Sequence, residues 1–397
     1  MELLSNRIIS LPSSATVKMA EKARELISKG KDIISLSLGE PDFNTPDFIK
    51  DAAIDAISDN YNSYTPVGGY SELKEAIINK FIRDNNLMYR ADQIVVSTGA
   101  KQCIANIAQV LLNKGDEALI PSPYWVSYTA ISIFSEATIK QVETSIENDF
   151  KLTAKELEDA ITEKTKLLFL NSPNNPTGSV YSEKEYRELA KVLEKYPNIF
   201  ILSDEIYEHV NYNKNNFSFA SIESMYNRTI TVNGVAKAFA MTGWRIGYMG
   251  APSWIAAACT KLQGHITSGA NCIAQRATIT ALNAPVTKIK YMIDVYEKRR
   301  DLAFETVSKI KGFKLNNRPE GAFYLFPNIS YFFNKKIRGR EINSSEDFSM
   351  LLLEEAGVAT VSGKAFGNDQ CIRISYATSE DLIKEALRRI KDCLEEN

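Results

Sequence analysis

G-V-A-K-A-F-A-M-T-G-W-R-I-G (234–247) places one lysine, Lys237, among small and apolar residues, with an arginine, Arg245, further along the same stretch. Burial in such a neighbourhood disfavours the ammonium form. A neutral amine is a nucleophile toward a carbonyl carbon. The alternative is a lysine whose stem packs on a core while its head reaches water. The stretch follows T-I-T-V (229–232), a short apolar run, and similar runs occur at I-V-V (94–96), A-L-I (118–120), L-L-F-L (167–170) and F-I-L (200–202). Helix-length segments lie between most of them. Two of these open on capping boxes, T-A-K-E (153–156) and S-E-K-E (182–185). Strands alternating with helices predict an α/β fold with a mainly parallel sheet covered on both faces.

Working outward, residues 18–29 read as a helix stopped by Gly30, and Thr45-Pro46 as a cap followed by proline at the first helical position. From about residue 290 a long charged helix pattern, Y-M-I-D-V-Y-E-K-R-R-D-L-A-F, opens a separate α+β segment. The expected division is a large domain over 45–290 and a small domain formed by 1–44 together with 291–397. The 397 residues are 44% hydrophobic and 24% charged, with a formal net charge of −2. That balance argues for neither nucleic acid nor a membrane surface. Five scattered cysteines without a C-x-x-C pair read as free thiols of a reducing compartment. With His209 and His265 as the two imidazoles, a His-rich metal site is excluded. The N-terminus lacks a basic start and a long apolar core, so the expected location is cytoplasmic.

Further candidate positions each follow a predicted strand, where ligands sit in open α/β sheets. S-T-G-A-K-Q (97–102) opens a helix, and its small residues let backbone N–H groups of Ala100 and Lys101 approach a phosphate. P-S-P-Y-W-V-S-Y (121–128) carries Trp125, which either stacks on a planar ring or packs at a domain edge. N-S-P-N-N-P-T-G (171–178) is a turn in which Asn175 either donates to a ring oxygen or caps the turn, and Asn175-Pro176 is a candidate cis bond. S-D-E-I-Y (203–207) sets Asp204 and Tyr207 on one cleft, unless the Asp-Glu pair is simply solvated. Q-C-I-R-I-S-Y-A (370–377) puts Arg373 inside an apolar strand, where it needs an anionic partner. That partner is a ligand carboxylate or a structural one. An amine together with a phosphate clamp points to an aldehyde cofactor with a phosphate tail, pyridoxal 5'-phosphate.

Together with S-L-G-E-P-D-F (37–43) and Y-T-P-V-G-G (64–69), these segments resemble the class I/II aminotransferases, the fold-type I pyridoxal-phosphate enzymes, over essentially the whole chain. The likeness is greatest to the bacterial aspartate aminotransferases. The resemblance implies a large domain with a mainly parallel seven-stranded sheet flanked by helices, and a smaller α+β domain. It implies that Lys237 carries the cofactor and later shuttles the substrate proton. Asp204 would pair with the ring nitrogen, and Tyr207 and Asn175 would bond the ring oxygen. Trp125 would cover the ring, and Arg245 with the backbone of Ala100 and Lys101 would hold the phosphate. Arg373 would grip the substrate α-carboxylate beside Gly39, with Trp125 and Asn175 also facing the substrate. Tyr64 matches a tyrosine that reaches the neighbouring subunit's phosphate, which implies a homodimer with shared sites. Cis prolines would fall at Pro123 and Pro176.

The implied activity is ping-pong transfer of an amino group from an L-amino acid, aspartate by default, to 2-oxoglutarate. A second cation is then needed for the distal carboxylate. Its usual positions fall in Q-G-H-I-T (263–267), where His265 is the one ionisable side chain, and before L-P-S-S-A-T (11–16), which lacks a lysine. Lys101 and Arg276 are the substitutes to be placed. An aromatic or broad-specificity aminotransferase and a carbon–sulfur β-lyase stay open as alternatives. A cofactor-sensing regulator would need a basic helix-turn-helix extension, and no such segment is found in this sequence.

Overall fold

The computed structural model describes residues 4–11, 15–213 and 217–395, the side chains of Ala15 and Thr16 apart. Its centre is a seven-stranded sheet. The strands lie in the order Ile94–Ser97, Gly247–Gly250, Thr229–Gly234, Phe200–Asp204, Thr165–Asn171, Glu117–Ser122 and Thr138–Glu143. Gly247–Gly250 is antiparallel to both neighbours and every other pairing is parallel. Six strands therefore run the same way and end on one edge of the sheet. All five apolar runs are strands of this sheet. They are buried almost throughout, as continuous apolar runs covered on both faces should be.

The sequence reading passes over two strands. Thr138–Glu143 lies at the edge and is mostly polar, with Val142 its buried member. Gly247–Gly250 begins and ends in glycine, which weakens any strand pattern. Both glycines answer to close approach. A Cβ on Gly247 would collide with the backbone of Ala100, and one on Gly250 with the Tyr89 ring.

The helix Ala100–Leu111 shows how local sequence serves the site. Cys103, Ile104, Ile107, Ala108 and Leu111 are buried on one face against the sheet. Burial of each large member contributes roughly 2 kcal/mol. Gly99 caps the helix with φ of 83°, a left-handed conformation costly for any side chain. The capping boxes at Thr153 and Ser182 both form. The helix expected over 18–29 runs from Ala15 to Ser28, starting earlier than the apolar pattern suggests. The Thr45-Pro46 expectation is corrected. That helix is Asp47–Ser58, Pro46 is its cap, and the Thr45 hydroxyl donates instead to the Ala240 carbonyl at 2.6 Å. The long-range bond wins because Thr45 lies in the segment that crosses to the Lys237 loop.

A second set of strands lies outside the seven-stranded sheet. Ile34–Ser35 pairs with Val358–Ala359, and Ile372–Ser375 lies between Val361–Ser362 and Tyr324–Leu325. Leu36 connects the two groups: its amide donates to Ala359 O and its carbonyl accepts from Ser375 N, each at 2.8 Å. This holds the 36–40 segment over the Lys237 loop. No described helix is long and apolar enough to cross a membrane.

Behind the strand edge lies a buried ionic network. Lys80 pairs with Glu208, and their side chains are 0% and 4% exposed. Asn85 links the two, accepting from Lys80 at 2.6 Å and donating to Glu208 at 2.8 Å. The ammonium pulls the Glu208 carboxyl down to about 2 against the opposing effect of burial. Lys80→Met therefore leaves a buried carboxylate without its cation and should lower stability by about 3 kcal/mol. Lys80→Met with Glu208→Leu should lose clearly less. Chemical unfolding of both variants checks this, and an equal loss in the double variant would contradict it.

Candidate active site

Gly99, Trp125, Asn175 and Lys237 follow carboxyl ends of the parallel strands, Asp204 closes one, and Arg245 precedes the opposed strand. A cavity of about 710 Å³ collects them. Its wall also includes Gly39, Ala100, Lys101, Tyr207 and Arg373. The structure thus brings together every site residue named from the sequence except Tyr64, which is 98% exposed and not part of this wall.

Lys237 is half-buried in the loop after Thr229–Gly234, and its Nζ donates to Gly39 O at 2.6 Å. Burial pushes its amine down to about 8; Glu40 works against that, while Arg373 and Arg245 add to it. Asp204 is 4% exposed and closes its strand. Burial raises its carboxyl to about 6, held from rising further by Tyr128, whose hydroxyl donates to Oδ2 at 2.6 Å, and by the Ile206 amide at 3.2 Å. The solvated Asp-Glu reading is thereby corrected: Glu205 is also buried and accepts from Ser203 and Ser218 at 2.8 and 2.7 Å. Tyr207 shares a 2.7 Å hydrogen bond with Tyr324, and burial raises its hydroxyl well above the ordinary tyrosine range.

The 171–178 turn is capped by its neighbours, so Asn175 is spared that task. Asn174 Oδ1 accepts from the Thr177 amide at 3.1 Å, and Asn171 Oδ1 from the Asn175 amide at 2.9 Å. The Asn175 side chain instead accepts from Arg373 Nη1 at 2.9 Å. Peptide bonds before Pro123 and Pro176 are cis as expected, and that before Pro173 is cis as well.

Arg373 is 3% exposed. Its Nη2 donates to Ser37 O at 2.7 Å, its Nε has no partner, and its planar group lies 4.5 Å from the Tyr324 ring centroid. No carboxylate pairs with it among the described residues, so the structural ion pair considered from the sequence is not what holds it. A buried guanidinium with neutral partners and a spare donor suits an incoming carboxylate.

The opposite end of the cavity suits a second anion. The Ala100 and Lys101 amides open the helix Ala100–Leu111 beside Arg245, which adopts a left-handed conformation at φ of 57°. A Cβ on Gly99 would collide with the Arg245 guanidinium, so glycine is what lets the two approach. Lys101 Nζ lies 4.9 Å from the Trp125 ring centroid. Two anion cradles with an amine between them fit a phosphate-bearing aldehyde and an amino acid together.

The reading from sequence missed Tyr128 and Tyr324. Tyr128 stands one helical turn beyond Trp125 in an already suspect segment, whereas Tyr324 has no such signal. Arg276 is spent on Glu72 at 3.2 Å and does not line the cavity, and His265 is exposed away from it. Residues 12–14 of L-P-S-S-A-T lie outside the described residues.

The chain is 48% identical to a probable aspartate/prephenate aminotransferase of Rickettsia typhi, covering 98% of both proteins. It superposes on the aspartate aminotransferase of Rhizobium meliloti with a TM-score of 0.96 at 42% identity, covering 99% of this chain and 98% of that one. The aspartate aminotransferase of Thermus thermophilus with maleate gives 0.93 at 38%, covering 99% and 100%. Residues 31–390 match the family model for aminotransferases of class I and II, and the chain belongs to that family.

Proposed function

We propose that this pyridoxal-phosphate-dependent aminotransferase moves the amino group of L-aspartate to 2-oxoglutarate in two half-reactions on one site. The buried Arg373, lacking a carboxylate partner, carries the reading, because a 2-amino acid supplies that carboxylate beside its reacting carbon. The relatives named above act on aspartate by name, and the Thermus structure holds the diacid maleate.

When bound, the cofactor supplies an aldehyde that takes up the amino group and a ring that accepts the electron pair left at the substrate Cα. The residues do the rest. Lys237, with its amine lowered to about 8, keeps a usable neutral fraction near neutral pH for attack on the aldehyde. Once released, the same amine takes the Cα proton and returns it on the cofactor side. Asp204, desolvated and steadied by Tyr128, would face the ring nitrogen and hold its proton, and the positive charge there would favour the ionised carboxylate. Tyr207 and Asn175 would bond the ring oxygen, and Trp125 would cover the ring. Arg245 and the Ala100 and Lys101 amides would hold the phosphate. Arg373 fixes the α-carboxylate, and the Gly39 carbonyl keeps Lys237 aimed while the site waits.

The exposed Tyr64 supports a homodimer in which each copy completes the other's phosphate site. The Ile34–Ser35 pairing with Val358–Ala359 supports the division into 45–290 and 1–44 with 291–397. The free thiols of Cys103, Cys259, Cys272 and Cys371 support a cytoplasmic location. A broad or aromatic aminotransferase is the second reading, favoured by the engagement of Arg276 with Glu72 and the position of His265 outside the cavity.

Adding L-aspartate without an acceptor should convert the enzyme's visible cofactor band completely in a single turnover, and L-phenylalanine should do so far more slowly. Conversion by aromatic or aliphatic amino acids alone would sink the aspartate reading. Apoprotein should capture added pyridoxal phosphate at a rate that rises with pH through about 8, where Lys237 loses its proton, and levels above it. Lys237→Ala should capture none after borohydride trapping and mass analysis. A rate flat from mildly acidic to alkaline pH, or trapped cofactor in the variant, would contradict the assignment.

A further inference from the structure

We infer that Tyr324 is a positioning residue that acts through Tyr207: its hydroxyl donates to the Tyr207 oxygen and so turns the Tyr207 proton toward the cofactor's ring oxygen. This rests on the contact proposed above between Tyr207 and that ring oxygen. The two phenols come from different sheets. Tyr324 opens a strand of the three-stranded sheet, and Tyr207 follows Phe200–Asp204 of the seven-stranded one. Both are buried and both line the cavity. Their hydroxyls stand 2.7 Å apart, and each is the other's one hydrogen-bond partner among the described residues. A phenol carries one proton and donates once. Were Tyr207 to spend its proton on Tyr324, the ring oxygen would receive none from it. With Tyr324 donating, Tyr207 keeps its proton for the cofactor, and a hydroxyl that accepts a hydrogen bond donates a stronger one.

The surroundings of Tyr324 favour that direction. The Arg373 guanidinium lies 4.5 Å from its ring centroid. Burial raises both hydroxyls, and at Tyr324 this positive charge is the foremost influence opposing the rise. A cation against its ring makes Tyr324 the readier donor of the two. Its place is also fixed from both sides. Tyr324 pairs with Ser375 in the strand that carries Arg373. On the other side its hydroxyl lies where a Cβ on residue 39 would be, so Gly39 leaves it room. The charged and titratable groups facing the pair are Asp204, Lys237, Arg373 and Tyr128, with Tyr296 and Tyr376 behind Tyr324. Removing one phenol hydroxyl leaves all of these in the chain.

The test is a pH titration of the holoenzyme's visible cofactor band, without substrate, in wild type, Tyr324→Phe, Tyr207→Phe and the double variant. Phenylalanine keeps each ring in place. A weaker hydrogen bond leaves more negative charge on the ring oxygen, which holds the proton at the Lys237 linkage to higher pH. Tyr324→Phe should therefore raise the midpoint by roughly half a pH unit, and Tyr207→Phe by more. In the Tyr207→Phe background, Tyr324→Phe should add no further shift, because the group it acts through is gone. A midpoint that is unmoved or lowered in Tyr324→Phe but raised in Tyr207→Phe overturns the Tyr324 assignment and leaves the Tyr207 contact standing. Equal shifts from Tyr324→Phe with and without the Tyr207 hydroxyl mark an effect by another route and also overturn it. An unmoved midpoint in Tyr207→Phe overturns both.

Discussion

A guanidinium buried without an opposite charge is the constraint around which this molecule is arranged. Arg373 is nearly solvent-free and is held by an amide oxygen, a backbone carbonyl and aromatic faces. Such burial is costly until an anion arrives. The chain bears it because the neighbouring strands, the 36–40 segment and the 171–178 turn fix the group from three sides. Arg245 and the first turn of Ala100–Leu111 form a second, separate anion cradle, with the Lys237 amine between the two. That spacing of charge suits a phosphate at one end and a carboxylate at the other, with the amine in the middle.

The sheet makes this convergence possible. Six co-directed strands deliver their carboxyl ends to one edge, so residues far apart in sequence arrive within one cavity. The antiparallel Gly247–Gly250 strand enters that edge from the other direction and brings Arg245 with it. Its Gly247 lets the strand close tightly against Ala100. The Lys80–Glu208 pair and its Asn85 link bury Glu208 directly after Tyr207 in the chain. Asp204 and Lys237 are shifted in proton affinity by the same cause, loss of water, in the directions that place both near neutrality.

Much of this was legible in the chain. Strands covered on both faces are written as unbroken apolar runs, and the residues following them are the site. Asp204, Asn175, Lys237 and Arg373 could be named because a polar or charged group at the end of, or inside, an apolar strand is conspicuous. Thr138–Glu143 was not legible, because an edge strand needs little apolar content. Gly247–Gly250 was hidden by glycines whose reason is a contact with distant residues. Tyr128 and Tyr324 support Asp204 and Tyr207 across long sequence separations, and local patterning carries no trace of such pairings.

The central claim is that Lys237 moves the Cα proton of an amino acid held by Arg373. The most direct measurement is exchange of the α-proton of L-aspartate into deuterated water, followed by proton NMR with holoenzyme and no oxo-acid acceptor. The account predicts rapid exchange by the native enzyme and none by Lys237→Arg, which keeps the charge but removes the base. Exchange that persists in that variant would show that another group moves the proton.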